Sequence, residues 1–199
     1  MSKPSKRSTA AVGVADHAGW AVLVTVGPDA TVLDRRRVEL VDEGLPVLPH
    51  HHEGQKLPVG DALALVEKVR ASAMRCAAQA LEALAHDVEA PVGAIALRAC
   101  PPLPDTVEGC LADYRAQCVA DTVMFRHALA EAATARGWKV AWYEAKTVFD
   151  EAARTLGRET IDDLLFDTRK QLGPPWQKDH RTAMAAAAWR NHFSPPPQP

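Results

Sequence analysis

An α/β fold is predicted, with a mixed five-stranded sheet in the chain order βββαβαβα and helices flanking it. Three observations point to it. Two apolar runs, residues 10–15 and 20–26, are separated by only Asp16-His17-Ala18-Gly19, which suits two strands joined by a short turn. A later apolar run, Val92-Gly93-Ala94-Ile95-Ala96-Leu97, reads as a strand buried on both faces. Long alanine-rich stretches of helical period lie on either side of that run.

In chain order, residues 1–9 read as a flexible basic tail, and 10–16 and 20–26 as the first two strands. Gly27-Pro28-Asp29 makes the next turn, and a third strand follows over about 31–41. Its Arg35-Arg36-Arg37 suits an edge strand protected by charge; a phosphate-tracking role is the alternative. Residues 42–60 form a long Pro- and Gly-containing connection carrying His50-His51-His52-Glu53. Consecutive histidines point in different directions, so a mobile polar loop is expected there ahead of a metal site.

From about 61 to 86, Leu63, Val66, Val69, Ala73, Ala77, Leu81 and Leu84 recur at helical spacing. After the fourth strand, Pro101-Pro102-Leu103-Pro104 breaks the chain. One helix is expected over 106–135, stopped by Gly137. Within it Asp113, Gln117 and Asp121 form a polar stripe, expected to be solvated; the alternative is a cleft wall with Tyr114 or Arg115 facing a ligand. A fifth strand over 138–144 precedes helices at 146–156, 160–171 and 178–191. The expected organisation is one domain over 10–192 and a disordered Pro-rich tail over 193–199.

Composition narrows the function. The 199 residues carry a formal net charge of −2, with 47% hydrophobic and 24% charged residues, ordinary values for a soluble globular protein. The overall balance is not that of a strongly basic nucleic-acid coat, although a local basic face is compatible with it. Cys76, Cys100, Cys110 and Cys118 form no CxxC pair and read as reduced, mostly buried thiols of a cytoplasmic protein. No run of eighteen apolar residues occurs. The Walker loop, the dinucleotide GxGxxG and the GxSxG elbow are all missing.

Asp16 ends the first apolar run with Gly19 just behind it. Asp179-His180 opens the small-residue segment Thr182-Ala183-Met184-Ala185-Ala186-Ala187-Ala188. These places and the element order resemble the ribonuclease-H-like superfamily, and most of all its RuvC-like branch, in topology over most of residues 10–192. The resemblance implies clustered carboxylates holding two divalent ions about 3.5–4 Å apart for phosphodiester hydrolysis.

Transferred to this sequence, Asp16 and Asp179 would hold Mg²⁺ or Mn²⁺, with His180 and Glu144 completing the catalytic set. Arg98, Lys146, Lys178 and Arg115 would face the phosphates of a nucleic acid. Resolvases of this type act as dimers, which makes a homodimer the implied oligomer. The chain departs from the pattern where a middle carboxylate is expected: Arg98-Ala99-Cys100 follows the fourth strand, and an arginine opposes a cation and favours phosphate. The expected function is therefore a metal-dependent nuclease or nuclease relative. The alternative is a non-catalytic member of the fold that binds nucleic acid, a nucleotide or a partner protein.

Overall fold

In a computed structural model, residues 9–192 are described; the expected tail at 193–199, and all but the last residue of the tail at 1–9, lie outside them. Strands β1 (Ala10–His17), β2 (Trp20–Val26) and β3 (Val32–Glu39) form the antiparallel meander. Helix α1 (Val59–Asp87) leads to β4 (Val92–Arg98). Helices α2 (Val107–Ala112) and α3 (Tyr114–Ala135) lead to β5 (Lys139–Tyr143), and α4 (Val148–Thr155), α5 (Asp162–Leu172) and α6 (Lys178–His192) follow. The sheet order is β3-β2-β1-β4-β5, with β4 parallel to both β1 and β5.

The two-residue period of a strand sorts the central side chains into two layers. Val12 and Val14 of β1, Ala21 and Leu23 of β2, and Ile95 and Leu97 of β4 pack under α1 and α3. Ala15, Val22, Val24, Ala96 and Tyr143 pack under α4, α5 and α6. At the end of the hairpin Asp16 pairs with Ala21 and His17 with Trp20, so the same alternation runs through the site-bearing residues. Gly19, at φ +80°, closes that hairpin.

Alanine sets how closely α6 can approach. Ala183, Ala185, Ala186 and Ala187 are buried, and a Cβ on Gly13 of β1 would collide with the Ala183 carbonyl and the Ala187 amide. Helix and strand backbones meet here because neither carries a side chain larger than methyl at the contact.

Several sequence expectations need correction. The helix expected over 106–135 is two: Asp113 interrupts it and caps α3, its Oδ1 accepting the amides of Arg115 (2.8 Å) and Ala116 (3.4 Å). The segment around His50 is no solvated loop. Pro49–Glu53 forms a π-helical turn and Gly54–Lys56 a 3₁₀ turn, and His50 is buried. The stripe on α3 is not solvated either, since Gln117 and Asp121 are both buried. All four cysteines are free, but only Cys110 is buried and Cys118 is exposed. No helix among the described residues is long and apolar enough to cross a membrane.

Candidate functional site

The parallel strands β1, β4 and β5 end side by side, and in open α/β sheets ligands gather at the carboxyl ends of such strands. Asp16 and His17 end β1, Arg98 ends β4, and Glu144 follows Tyr143 at the end of β5. The first turn of α6, with Lys178 and Asp179, joins them through a bond from His17.

Asp16 shares its face with Val12 and Val14, so its carboxylate enters the layer under α3. There Arg126 donates to Asp16 Oδ2 from Nη2 (2.7 Å) and Nε (3.1 Å). Arg126 Nη1 donates to the Ala99 carbonyl (3.1 Å) and lies 3.6 Å from Cys100 Sγ. Burial works against the charge on this guanidinium, but the bonds to Asp16 outweigh it and hold its pKa above the ordinary arginine value. Arg98 adds a second cation: its Nε stands 3.9 Å from Asp16 Oδ1, and neither atom has a hydrogen-bond partner among the described residues.

His17, one residue on, points to the opposite face. Its Nε2 donates to Asp179 Oδ2 (3.1 Å), and its ring stacks on Trp20 at 4.0 Å between centroids and 9° between planes. The guanidinium of Arg37 covers the same indole at 3.9 Å. Arg37, Trp20 and His17 are thus linked through one indole, with the carboxylate of Asp179 at the histidine end.

The two carboxylates expected to share a metal therefore take different partners. Asp16 lies in the α3 layer with two arginines, and Asp179 lies with α6 against His17. A one-residue shift along a strand carries a side chain to the other face of the sheet. The donor set does not fit a divalent ion, because guanidinium nitrogens occupy or approach both Asp16 oxygens where a cation would need them. Among the described residues no group of three His, Cys, Asp or Glu side chains could hold a metal.

The remaining predicted residues differ in burial and partners. His180 is buried, and its Nδ1 accepts the amide of Gln177 (3.2 Å) in the turn that opens α6. Burial, then the positive charge of Arg35, pushes its pKa below the ordinary histidine value. Glu144, Lys146 and Lys178 are exposed near strand and helix ends, and Arg98 is half-buried. Arg115 is exposed on the first turn of α3, eleven residues before Arg126, or about 16 Å along the helix axis.

Sequence reasoning missed Arg126. Its signal is an arginine inside Val123-Met124-Phe125-Arg126-His127-Ala128-Leu129, one turn from Val123 and Leu129 on a buried face; such a charge requires a partner. Tyr143 was also missed; its hydroxyl donates to the Val14 carbonyl (2.7 Å) beneath the strand ends. The charge run on β3 is explained without nucleic acid, in keeping with its edge position. Arg35 donates to the carbonyls of Leu172, Gly173, Pro174 and Pro175, Arg36 bonds Asp34 and Asp87, and Arg37 bonds Glu39.

No protein-family model matches the chain, and no curated protein sequence matches it. Solved structures do. RuvC of T. thermophilus in complex with a Holliday junction substrate is 12% identical, covering 92% of this chain and 93% of that one at a TM-score of 0.52. A second Thermus thermophilus RuvC structure is 14% identical over the same shares, at a TM-score of 0.47. The five-stranded mixed sheet with its flanking helices is therefore a RuvC-like, ribonuclease-H-like fold.

Proposed function

We propose that this chain is a non-catalytic RuvC-like protein that binds nucleic acid at the carboxyl ends of β1, β4 and β5. One observation carries the reading: the carboxylate at the end of β1 is committed to a buried ion pair with Arg126. A cation already neutralises the charge that a catalytic metal would meet. Arg98, half-buried at the end of β4, adds positive charge at the rim, and Lys146 and Lys178 supply exposed cations near the same edge. Guanidinium and ammonium groups placed there suit phosphate oxygens. The RuvC of T. thermophilus with the same fold is described in complex with a Holliday junction, which supports a nucleic acid as the ligand class.

The test is fluorescence anisotropy on a labelled four-way junction, a linear duplex and a single strand, with EDTA or Mg²⁺, alongside gel analysis of the same mixtures. Binding that persists in EDTA, weakens several-fold in Arg98→Gln and yields no cut product supports the reading. Mg²⁺-dependent cleavage abolished by Asp16→Asn or Asp179→Asn would overturn it in favour of a nuclease. Failure to bind any of the three at low salt would leave the fold without this function.

A further inference from the structure

A groove between α5 and α6 adjoins the strand-end site and shares Lys178 with it. Leu165, Phe166 and Arg169 of α5, Trp176 and Gln177 of the connecting turn, and Lys178 and Arg181 of α6 line a cavity of about 400 Å³, with Asp162 at one side. That volume is in the range of about 300–1,000 Å³ that small-ligand sites occupy. A neighbouring hollow of about 360 Å³ shares Asp162, Lys178 and Arg181, so the two form one crease along this face.

Charge and aromatic surface coincide in the groove. In the larger cavity three cations accompany the single carboxylate of Asp162, and Asp150 lines the neighbouring hollow. Arg169 and Lys178 have no ion-pair partner among the described residues, and Arg181 reaches Asp162 only at 3.6 Å. Phe166 is 54% exposed, and the ammonium of Lys170 sits 4.2 Å from its centroid, keeping a fourth cation at the rim. Trp176 forms another part of the wall.

We infer that this groove is a nucleotide subsite, in which Arg169, Lys178 and Arg181 take a phosphate and Phe166 and Trp176 take the base. Aromatic rings beside a basic track form the usual platform for unpaired bases, because every base has a stacking face. The inference rests on the nucleic-acid reading above and extends it. Lys178 is adjacent to Asp179, which bonds His17 at the strand ends, so a strand leaving that site would meet this groove next. The shared chemistry is one base with its phosphate, supplied by a single strand or by a free mononucleotide.

The experiment titrates full-length protein into 5′-fluorescein-labelled dT12, with unlabelled thymidine 5′-monophosphate as competitor. Arg169→Glu/Arg181→Glu, which spares the Lys178 shared with the strand ends, is compared with Lys56→Glu/Lys68→Glu, which makes the same change in net charge at exposed positions before and on α1. Circular dichroism melting confirms that each variant is folded. Phe166→Ala serves as an uncharged second variant.

Expected are a loss of about tenfold or more in dT12 affinity for the groove pair, about fivefold for Phe166→Ala, and little change for the control pair. Competition at micromolar monophosphate would identify a free nucleotide as the source, and competition only at millimolar levels a strand. Equal losses in the groove and control pairs, or wild-type affinity in the groove pair and in Phe166→Ala, would overturn the inference. Arg98→Gln separates the two sites. If dT12 binding is lost in the groove pair and intact in Arg98→Gln, the groove stands and the strand-end reading falls; the reverse removes only the groove.

Discussion

Arg126 Nη2 stands 2.7 Å from Asp16 Oδ2, with the two side chains 4% and 0% exposed. A buried pair of this kind has large and opposing terms, desolvation against Coulomb attraction, and its sensitivity appears when one partner is removed. Arg126→Met would leave the Asp16 carboxylate uncompensated, with Arg98 only at 3.9 Å. A loss of about 3–5 kcal/mol is expected. Replacing both residues together, as Asp16→Leu/Arg126→Met, should recover much of that loss, because no orphan charge is left behind. Urea unfolding of the three proteins checks this. A cost for Arg126→Met no larger than a surface substitution, about 0.5 kcal/mol, would show that Asp16 finds another partner.

The close approach of α6 to β1 predicts a second sensitive position. Gly13→Ala adds a single methyl, but that methyl meets backbone atoms of Ala183 and Ala187 rather than the end of a flexible side chain. Helix and strand must separate to admit it. A destabilisation of about 1–3 kcal/mol or more is expected by denaturant titration. Because α6 also carries Asp179, the same variant should loosen the His17–Asp179 bond, visible as displaced His17 ring resonances by NMR at fixed pH. An unchanged melting temperature would contradict the packing described at this contact.

The sheet and its order were legible because apolar runs, tight turns and helical periods agreed with one another along the chain. The faces were not. Residues 10–15 are apolar without interruption, so no polar alternation marks which of them look toward which helix layer. Asp16 and Asp179 could be placed near the same strand ends, but only the parity with Val12 and Val14 reveals that Asp16 enters the other layer. Arg126 was obscured in the same way, since a single arginine in a helix reads as a solvated residue until its neighbours are known to be buried. The break at Asp113 was open to inspection: Asp is a strong cap, and Asp113 stands between two helical patterns.

The buried loop around His50 is held by one carboxylate. Asp121 accepts His50 Nδ1 (2.8 Å) and the amides of His50 (3.0 Å) and His51 (3.2 Å). Asp121→Ala would leave these donors unpaired in a buried setting, each costing on the order of 1 kcal/mol or more. The loss should be concentrated locally. Amide hydrogen exchange at residues 49–54 should accelerate well beyond that of β1 and β4, and limited proteolysis should cut in the same segment. Uniform acceleration across the protein would instead make Asp121 a determinant of global stability.

His180 gives the acid side of the stability profile a recognisable signature. Burial, then the charge of Arg35, holds its folded pKa below the ordinary 6.5. The unfolded chain therefore takes up a proton first as pH falls. The stabilising effect of a neutral His180 is fully present above about pH 6.5 and declines as the pH is lowered toward its folded value. Asp29, Asp42 and Asp87, whose pKa values lie below the ordinary 3.8 chiefly through side-chain hydrogen bonds from Thr31, Ser72 and His86, lose their contributions in a separate and more acidic window. Stability measured by urea titration between pH 7.5 and 5 should fall in wild type and stay flatter in His180→Gln, which cannot take up the proton. Parallel slopes in the two proteins over that range would assign the decline to another group.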